Sequence, residues 1–173
     1  MKKIVLGLVI GLFGALCLAP TPVSAAPYCG ITWGSLAKSS AATTTQSLTN
    51  IRTGQHDCYD RIVFDLTGTN ATGYSVKYVS NVYGIASGKL IQLNNSGAKL
   101  QIVINAPAST TYSATENQPL PGVNLTGYQT FRDAKYASSF EGKTMIGLGV
   151  RAQLPFRVTT SGNHVIVDVA HAW

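Results

Sequence analysis

The run Arg61-Ile62-Val63-Phe64-Asp65-Leu66 decides the class of fold. Its apolar side chains at positions 62, 64 and 66 alternate with those at 61, 63 and 65, and a period of two residues is that of a β-strand. The β-branched and aromatic content agrees with this assignment, and Gly68-Thr69-Asn70 supplies a turn directly afterwards. We therefore predict a strand that buries one face in a core.

Similar alternating runs continue along the chain, separated by Gly, Asn, Ser and Pro residues that form turns. They lie at 74–79, 89–93, 100–104, 128–137, 146–150, 156–158 and 164–169. Residues 131–137 also have some helical propensity, but the nearby Gly142 and the β-rich surroundings favour a strand. The sequence predicts an all-β protein, a single β-sandwich or a partly open barrel of about seven to nine short strands.

The first run has an echo near the end of the chain, His164-Val165-Ile166-Val167-Asp168-Val169. Each run begins with a charged or polar residue, continues with three apolar residues and Asp, and ends with an aliphatic residue. The echo is typical either of two related halves or of the way in which strands near a sheet edge are commonly built. The sequence leaves both interpretations open.

Two segments show no such alternation. Residues 26–55 are loop-like and rich in Ser, Thr and Ala between 39 and 49, which predicts a linker in front of a domain at 56–173. Residues 107–127 contain Pro119, Pro121 and Gly122, and a loop of this length inside a compact domain is typical of a functional or mobile segment.

The N-terminus has the pattern of a secretory signal peptide over residues 1–25. Lys2 and Lys3 precede an apolar stretch at 4–19, and Val23-Ser24-Ala25 places small residues for cleavage after Ala25. The apolar stretch is shorter than the roughly 20 residues of a membrane-spanning helix. We therefore expect an exported protein, secreted or held at the cell envelope, with no membrane span after signal removal.

Two cysteines remain after cleavage, Cys29 and Cys58. An exported protein meets an oxidising environment, and two cysteines permit one intramolecular pair, so we predict a disulfide that ties the N-terminal segment to the domain. A metal site would need further ligands, and His56 alone does not complete a zinc spacing. We expect neither a metal nor a cofactor.

The charge of the chain also restricts its partners. The 173 residues include 13 basic and 7 acidic residues, and removing Lys2 and Lys3 leaves 11 basic against 7 acidic residues, a net charge of +4. Because this charge is modest and the basic residues are dispersed, nucleic acid is not an expected partner.

Catalysis is not expected from the titratable residues. Glu116 and Glu141 could be proposed as a glycosidase pair, but both lie in loop-like contexts. His56 lies beside a cysteine in a turn, and neither a nucleophile elbow nor a His-Glu-x-x-His motif is present. We predict that the protein is not an enzyme.

The C-terminal half combines cations with aromatic residues, and this combination suits binding. Our candidate ligand contacts are Arg132, Tyr136, Arg151 and Arg157. Arginine pairs with carboxylates of anionic wall polymers, and an exposed tyrosine can stack on a sugar ring. The alternative is that the aromatic residues fill the core and that the charges only solvate the outer faces.

Three stretches together resemble the AMIN-like domain proteins that actinobacteria export. They are Cys29–Leu36, Cys58–Leu66 and Ser139–His171, and within the last the run Gly147-Leu148-Gly149-Val150-Arg151-Ala152 is the most specific part. The resemblance covers nearly all of the chain after the predicted cleavage site.

This resemblance implies a β-sandwich that is distantly related to the AMIN domain, a module that accompanies cell-wall amidases and directs its carrier to the envelope by binding peptidoglycan. It therefore implies a non-catalytic envelope module, and it carries over no ligand residues. The chain departs from AMIN-bearing amidases, because no catalytic domain follows the module up to Trp173.

We thus expect a secreted, non-catalytic envelope module that binds peptidoglycan, another wall glycan or an envelope protein. The alternatives are an interaction scaffold or inhibitor that presents the loop 107–127, and a hydrolase that uses Glu116, Glu141 or His56.

Overall fold

The computed structural model describes residues 26–70 and 72–173, and the predicted signal peptide lies outside these residues. Among the described residues, no helix is long and apolar enough to cross a membrane. A 3-10 turn covers Tyr28–Gly30, and eleven strands follow it: β1 Lys38–Ser40, β2 Leu48–Gln55, β3 Tyr59–Leu66, β4 Tyr74–Val79, β5 Val82–Tyr83, β6 Leu90–Ile91, β7 Ala98–Ile104, β8 Phe131–Phe140, β9 Lys143–Val150, β10 Phe156–Ser161 and β11 His164–Ala170.

The strands form two large antiparallel sheets and one small hairpin sheet. The five-stranded sheet has the order β1-β4-β7-β9-β8, the four-stranded sheet has the order β10-β11-β3-β2, and β5 pairs with β6. The sheets are not closed into a barrel, so the predicted all-β fold is confirmed in its sandwich form. The eleven strands exceed the seven to nine expected because β1, β2 and β5 were not recognised.

The core lies between the two large sheets. Ile62 and Phe64 of β3 face it from the four-stranded sheet, and Ile102, Ile146 and Leu148 face it from β7 and β9. The alternation in the first run therefore predicts correctly which side chains are buried.

The linker prediction for residues 26–55 is wrong over β1 and β2. β2 pairs with β3 along its whole length, so the expected boundary at residue 56 falls inside a hairpin. The pattern was missed because a bulge between Leu48 and Asn50 shifts the register, so the core residues Leu48 and Ile51 stand three positions apart. The residues around them are polar because β2 is an edge strand.

The segment that joins β7 to β8 is the long loop predicted at 107–127, and it packs along both sheets. The amide of Leu48 in β2 donates to the carbonyl of Pro107, and the amide of Leu120 donates to the carbonyl of Ala134 in β8. Tyr112 and Leu120 are buried in the core. The segment therefore covers the edges of β2 and β8 on the open side of the sandwich, which argues against a freely presented loop.

The small sheet covers part of the outer face of the five-stranded sheet. Val82 and Ile91 pack against Val103, Ala137 and Met145 in a second apolar cluster. The chain then crosses β9, and Leu93 and Ser96 lie over Gly147 and Gly149, where a Cβ atom would be 3.1 Å and 2.9 Å from these side chains. The glycines of the Gly-Leu-Gly-Val run are therefore needed for this close crossing.

Candidate functional site

The outer face of the four-stranded sheet carries a cluster of cations and aromatic rings. We call this the Arg157 cluster, and it consists of Trp33, Tyr59, Arg61, Arg157 and Asp168. β3, β11 and β10 are neighbours in this sheet, and the antiparallel register places position 168 opposite both 61 and 157. The sheet thus brings together residues that are distant in the sequence.

Asp168 is the centre of the cluster. Its side chain is fully buried and accepts hydrogen bonds from Nε and Nη2 of Arg61, at 2.6 Å and 2.9 Å, and from Nε of Arg157 at 2.8 Å. Hydrogen bonding to Asp168 raises the pKa of Arg61. A buried carboxylate is stable when it is paired in this way, and the two guanidinium groups leave the cluster with one net positive charge.

Two aromatic rings contact the Arg157 guanidinium. Its guanidinium carbon lies 4.4 Å from the centre of the Trp33 ring and 5.5 Å from that of Tyr59. The Trp33 and Tyr59 rings meet edge to face, with their centres 5.5 Å apart. The imidazole of His56 stacks on the Tyr59 ring at a centre-to-centre distance of 4.5 Å. Cation–π contacts of this kind hold the guanidinium plane in one orientation.

The N-terminal segment brings Trp33 to the sheet. The Cys29–Cys58 disulfide, confirmed by the structure, attaches this segment to the loop between β2 and β3. The amide of Phe156 donates to the carbonyl of Gly34 at 2.9 Å, and the Lys38 ammonium lies 3.9 Å above the Phe156 ring. Burial there lowers the pKa of Lys38.

The structure does not bring the four predicted contact residues together. Tyr136 is only 9% exposed and packs beside Tyr112 in the core, so its ring is unavailable to a sugar, and burial raises its pKa. Arg132 donates to the carbonyls of Tyr128, Phe131 and Gln129, next to its own strand.

Arg151 follows β9 and donates to the carbonyl of His171. It is exposed, but this bond directs its guanidinium to the C-terminal segment. Of the four residues, Arg157 is the one whose surroundings combine charge with stacked aromatic rings. Trp33, Tyr59, Arg61 and Asp168 were missed by the sequence reasoning, although the echo between the runs at 61–66 and 164–169 contains two of them.

A groove of about 500 Å³ lies where β4 ends and β7 begins. We call it the Lys99 groove, and it is lined by residues that include Tyr78, Ser80, Ser96, Gly97, Lys99 and Gln153. The carbonyl of Gln153 accepts a hydrogen bond of 3.1 Å from the indole nitrogen of Trp173, whose side chain is 63% exposed.

The residues considered for hydrolysis occupy structural positions. Glu141 has a φ of 48° and, with Gly142 at 73°, forms the two-residue turn between β8 and β9. Glu116 accepts a hydrogen bond from Ser87. Within residues 26–70 and 72–173, no three His, Cys, Asp or Glu side chains gather in a way that could hold a metal ion.

A buried polar cluster near the C-terminus resembles a catalytic triad only in its residue types. His171 Nδ1 lies 3.0 Å from the Thr130 hydroxyl, and its Nε2 lies 2.9 Å from the carbonyl of His56. Asp60 accepts from the amides of Thr130 and Phe131. Thr130 is fully buried, so this cluster joins β8 to the β2–β3 hairpin and the C-terminal segment and does not meet a substrate.

Comparison with known proteins identifies a family. A family model described as an AMIN-like domain matches residues 46–171, which span β2 to the residue after β11. No curated protein and no solved structure gives a match.

Proposed function

The chain belongs to the AMIN-like domain family, and we propose that it is an exported cell-envelope module that binds peptidoglycan or another wall glycan through the Arg157 cluster. AMIN-like domains are typically extracytoplasmic and generally non-catalytic, which agrees with the cell-wall-related role that the family suggests. The signal peptide at residues 1–25 and the glycan ligand are parts of this proposal.

The arrangement of Arg157 supports the proposal most directly. Its Nε is bonded to Asp168, and its side chain remains 37% exposed. No hydrogen bond of its Nη groups is found within the described residues, so they remain free to donate to a ligand. A planar guanidinium presents two parallel N–H donors, which match the two oxygens of a carboxylate or phosphate.

The neighbouring rings suit the sugar part of such a polymer. Trp33 and Tyr59 are half-buried, so part of each ring reaches the surface beside Arg157. An aromatic face provides a large apolar contact area for the C–H groups of a pyranose ring. We therefore assign the ligand contacts to Arg157, Trp33 and Tyr59. Arg132 and Arg151 have a structural role in this proposal, because their guanidinium groups donate to backbone carbonyls.

The test is co-sedimentation of the protein with insoluble peptidoglycan across a salt series. We expect saturable binding that persists at high salt and that falls about ten-fold in Arg157→Gln, since a charge-assisted, bidentate contact contributes about 1.5 kcal/mol or more. Asp168 keeps Arg61 as a partner in this variant, so the fold should be maintained, and thermal unfolding checks this.

Arg52→Gln is the matched control. Arg52 is an exposed arginine of β2 in the same sheet and is paired with Asp65, but no aromatic ring stacks on it in the described structure. Equal weakening of binding in both variants, or binding that salt abolishes, would mean that only the net positive charge acts, and the envelope partner would then be sought among proteins.

A further inference from the structure

We propose that the Lys99 groove is a second binding site, specific for a carboxylate-bearing sugar, with Trp173, which is bonded to the lining residue Gln153, as the stacking platform. The proposal deepens the glycan-binding function and rests on it, but its residues are separate from those of the Arg157 cluster. No motif in the sequence indicates this groove, which is formed from the end of β4, the start of β7 and the segment after β9.

The charge in the groove selects an anion. The Lys99 ammonium donates to the carbonyl of Ser80 at 3.0 Å and to the side-chain oxygen of Asn81 at 2.9 Å. An ammonium has three donors, so one remains for a ligand. No acidic residue lines the groove, and no salt bridge to Lys99 is found within the described part of the chain. A carboxylate therefore meets a positive charge that is already positioned by two protein oxygens.

The floor and wall of the groove are rigid. The amide of Gly97 donates to the carbonyl of Val150 at 2.9 Å, and a side chain at this position would collide with the backbone of Arg151. The hydroxyl of Tyr78 donates to the carbonyl of Leu154 at 2.8 Å and accepts from its amide at 3.0 Å. A site that is formed before the ligand arrives loses less entropy on binding.

Trp173 adds the apolar part of the recognition. Its indole nitrogen is fixed on the carbonyl of Gln153, while most of the ring is exposed to solvent. The side-chain amide of Gln153 is exposed and makes no hydrogen bond among the described residues, so it is available to a sugar hydroxyl. An aromatic face, an amide and one cation are the groups that a sugar with a carboxylate would engage.

The two tryptophans of the chain allow each site to be observed separately. In Trp33→Phe the remaining indole, Trp173, reports the Lys99 groove, and in Trp173→Phe the remaining indole reports the Arg157 cluster. The probes are soluble glycan strands without stem peptides, whose muramic acids carry free carboxylates, and chitin oligosaccharides, which have a related backbone without carboxylates.

We expect the fluorescence of Trp173 to change saturably with the acidic strands and at least about ten-fold more weakly with chitin oligosaccharides. Lys99→Gln should lower the affinity for the acidic strands about ten-fold. Lys77→Gln is the matched control, because Lys77 is an exposed lysine on the neighbouring strand β4 that does not line the groove. It should leave the affinity unchanged.

Three results would overturn the proposal. If Trp173 is silent while Trp33 responds, or while peptidoglycan still pellets the protein, the groove is not a site and the proposed function stands. If Trp173 responds equally to both probes, and its response to the acidic strands is unchanged in the Lys99→Gln variant, carboxylate recognition is wrong. If neither indole responds and no protein pellets, both the groove and the proposed function fail.

Discussion

At the scale of single residues, the cross-strand partners of two aspartates explain the echo in the sequence. Arg61 of β3 stands opposite Asp168 of β11, and Asp65 of β3 stands opposite His164 of β11. The Nδ1 atom of His164 lies 2.8 Å from the Asp65 carboxylate. The antiparallel pairing thus sets the aspartate of each run against the first residue of the other run, with Arg61 in an ion pair and His164 in an imidazole–carboxylate contact. The echo therefore has a direct role in pairing these strands, whether or not it also reflects related halves.

Tyr78 gives the protein a predictable response to alkaline pH. Burial raises the pKa of Tyr78 to about 12, against an ordinary value of about 10 in the unfolded chain. The folded state thus holds the proton more tightly, so stability is fully present below about pH 10 and is lost as the pH rises toward about 12.

We expect the free energy of unfolding to be lower at about pH 11 than at about pH 9, with at most about 1 kcal/mol from Tyr78 after solvent screening. Tyr78→Phe should reduce this difference, and Tyr112 and Tyr136, whose pKa values burial also raises, should contribute in the same direction. Urea unfolding of both proteins at both pH values measures this difference in the free energy of unfolding. An undiminished difference in Tyr78→Phe would exclude the tyrosine as its source.

At the scale of elements, β9 shows how one strand serves two packing layers. Leu148 and Val150 enter the main core, while Gly147 and Gly149 lie under the crossing segment with Leu93 and Ser96. The alternation of apolar residue and glycine thus has a different reason on each face. From the sequence the apolar face could be predicted, but the need for glycine could not, because the crossing segment comes from a distant part of the chain.

Gly149→Ala should destabilise the protein by about 1–3 kcal/mol, because the new Cβ would lie 2.9 Å from the Cβ of Ser96 and the two packed segments must shift. Urea unfolding measures the change. Gly54→Ala in β2 is the control, since its Cβ would have no neighbour closer than 4.0 Å. An equal loss of stability in the two variants would mean that replacing any strand glycine is destabilising, and that contact with the crossing segment is not the cause.

At the scale of the whole molecule, the segment between β7 and β8 closes the side of the sandwich. β2 and β8 are edge strands of different sheets, and exposed edges favour aggregation. The amides of Ser109, Asn117 and Leu120 donate to carbonyls of these strands. The length and the prolines of the segment suggested a functional or mobile loop, but its backbone bonds and its two buried side chains belong to the core.

Leu120→Ala should therefore lower the free energy of unfolding by about 2–4 kcal/mol, as for a buried leucine, because Leu120 is 2% exposed. Leu36→Ala is the matched control, since Leu36 is 83% exposed and should change stability by less than about 0.5 kcal/mol. Chemical denaturation of both variants compares them. Similar small effects would mean that the segment is not part of the cooperative core.

Local pattern alone determined the fold class, the strands with regular alternation and the pairing of Cys29 with Cys58, because strand period and cysteine count are properties of short stretches or of composition. It did not reveal β2, whose bulge breaks the period, or the packed role of residues 107–127. The environments of Arg157 and Lys99 were decided only by the tertiary structure. Trp33 reaches Arg157, and Gln153 reaches the start of β7, through contacts between residues far apart in the chain, and no local spacing encodes such contacts.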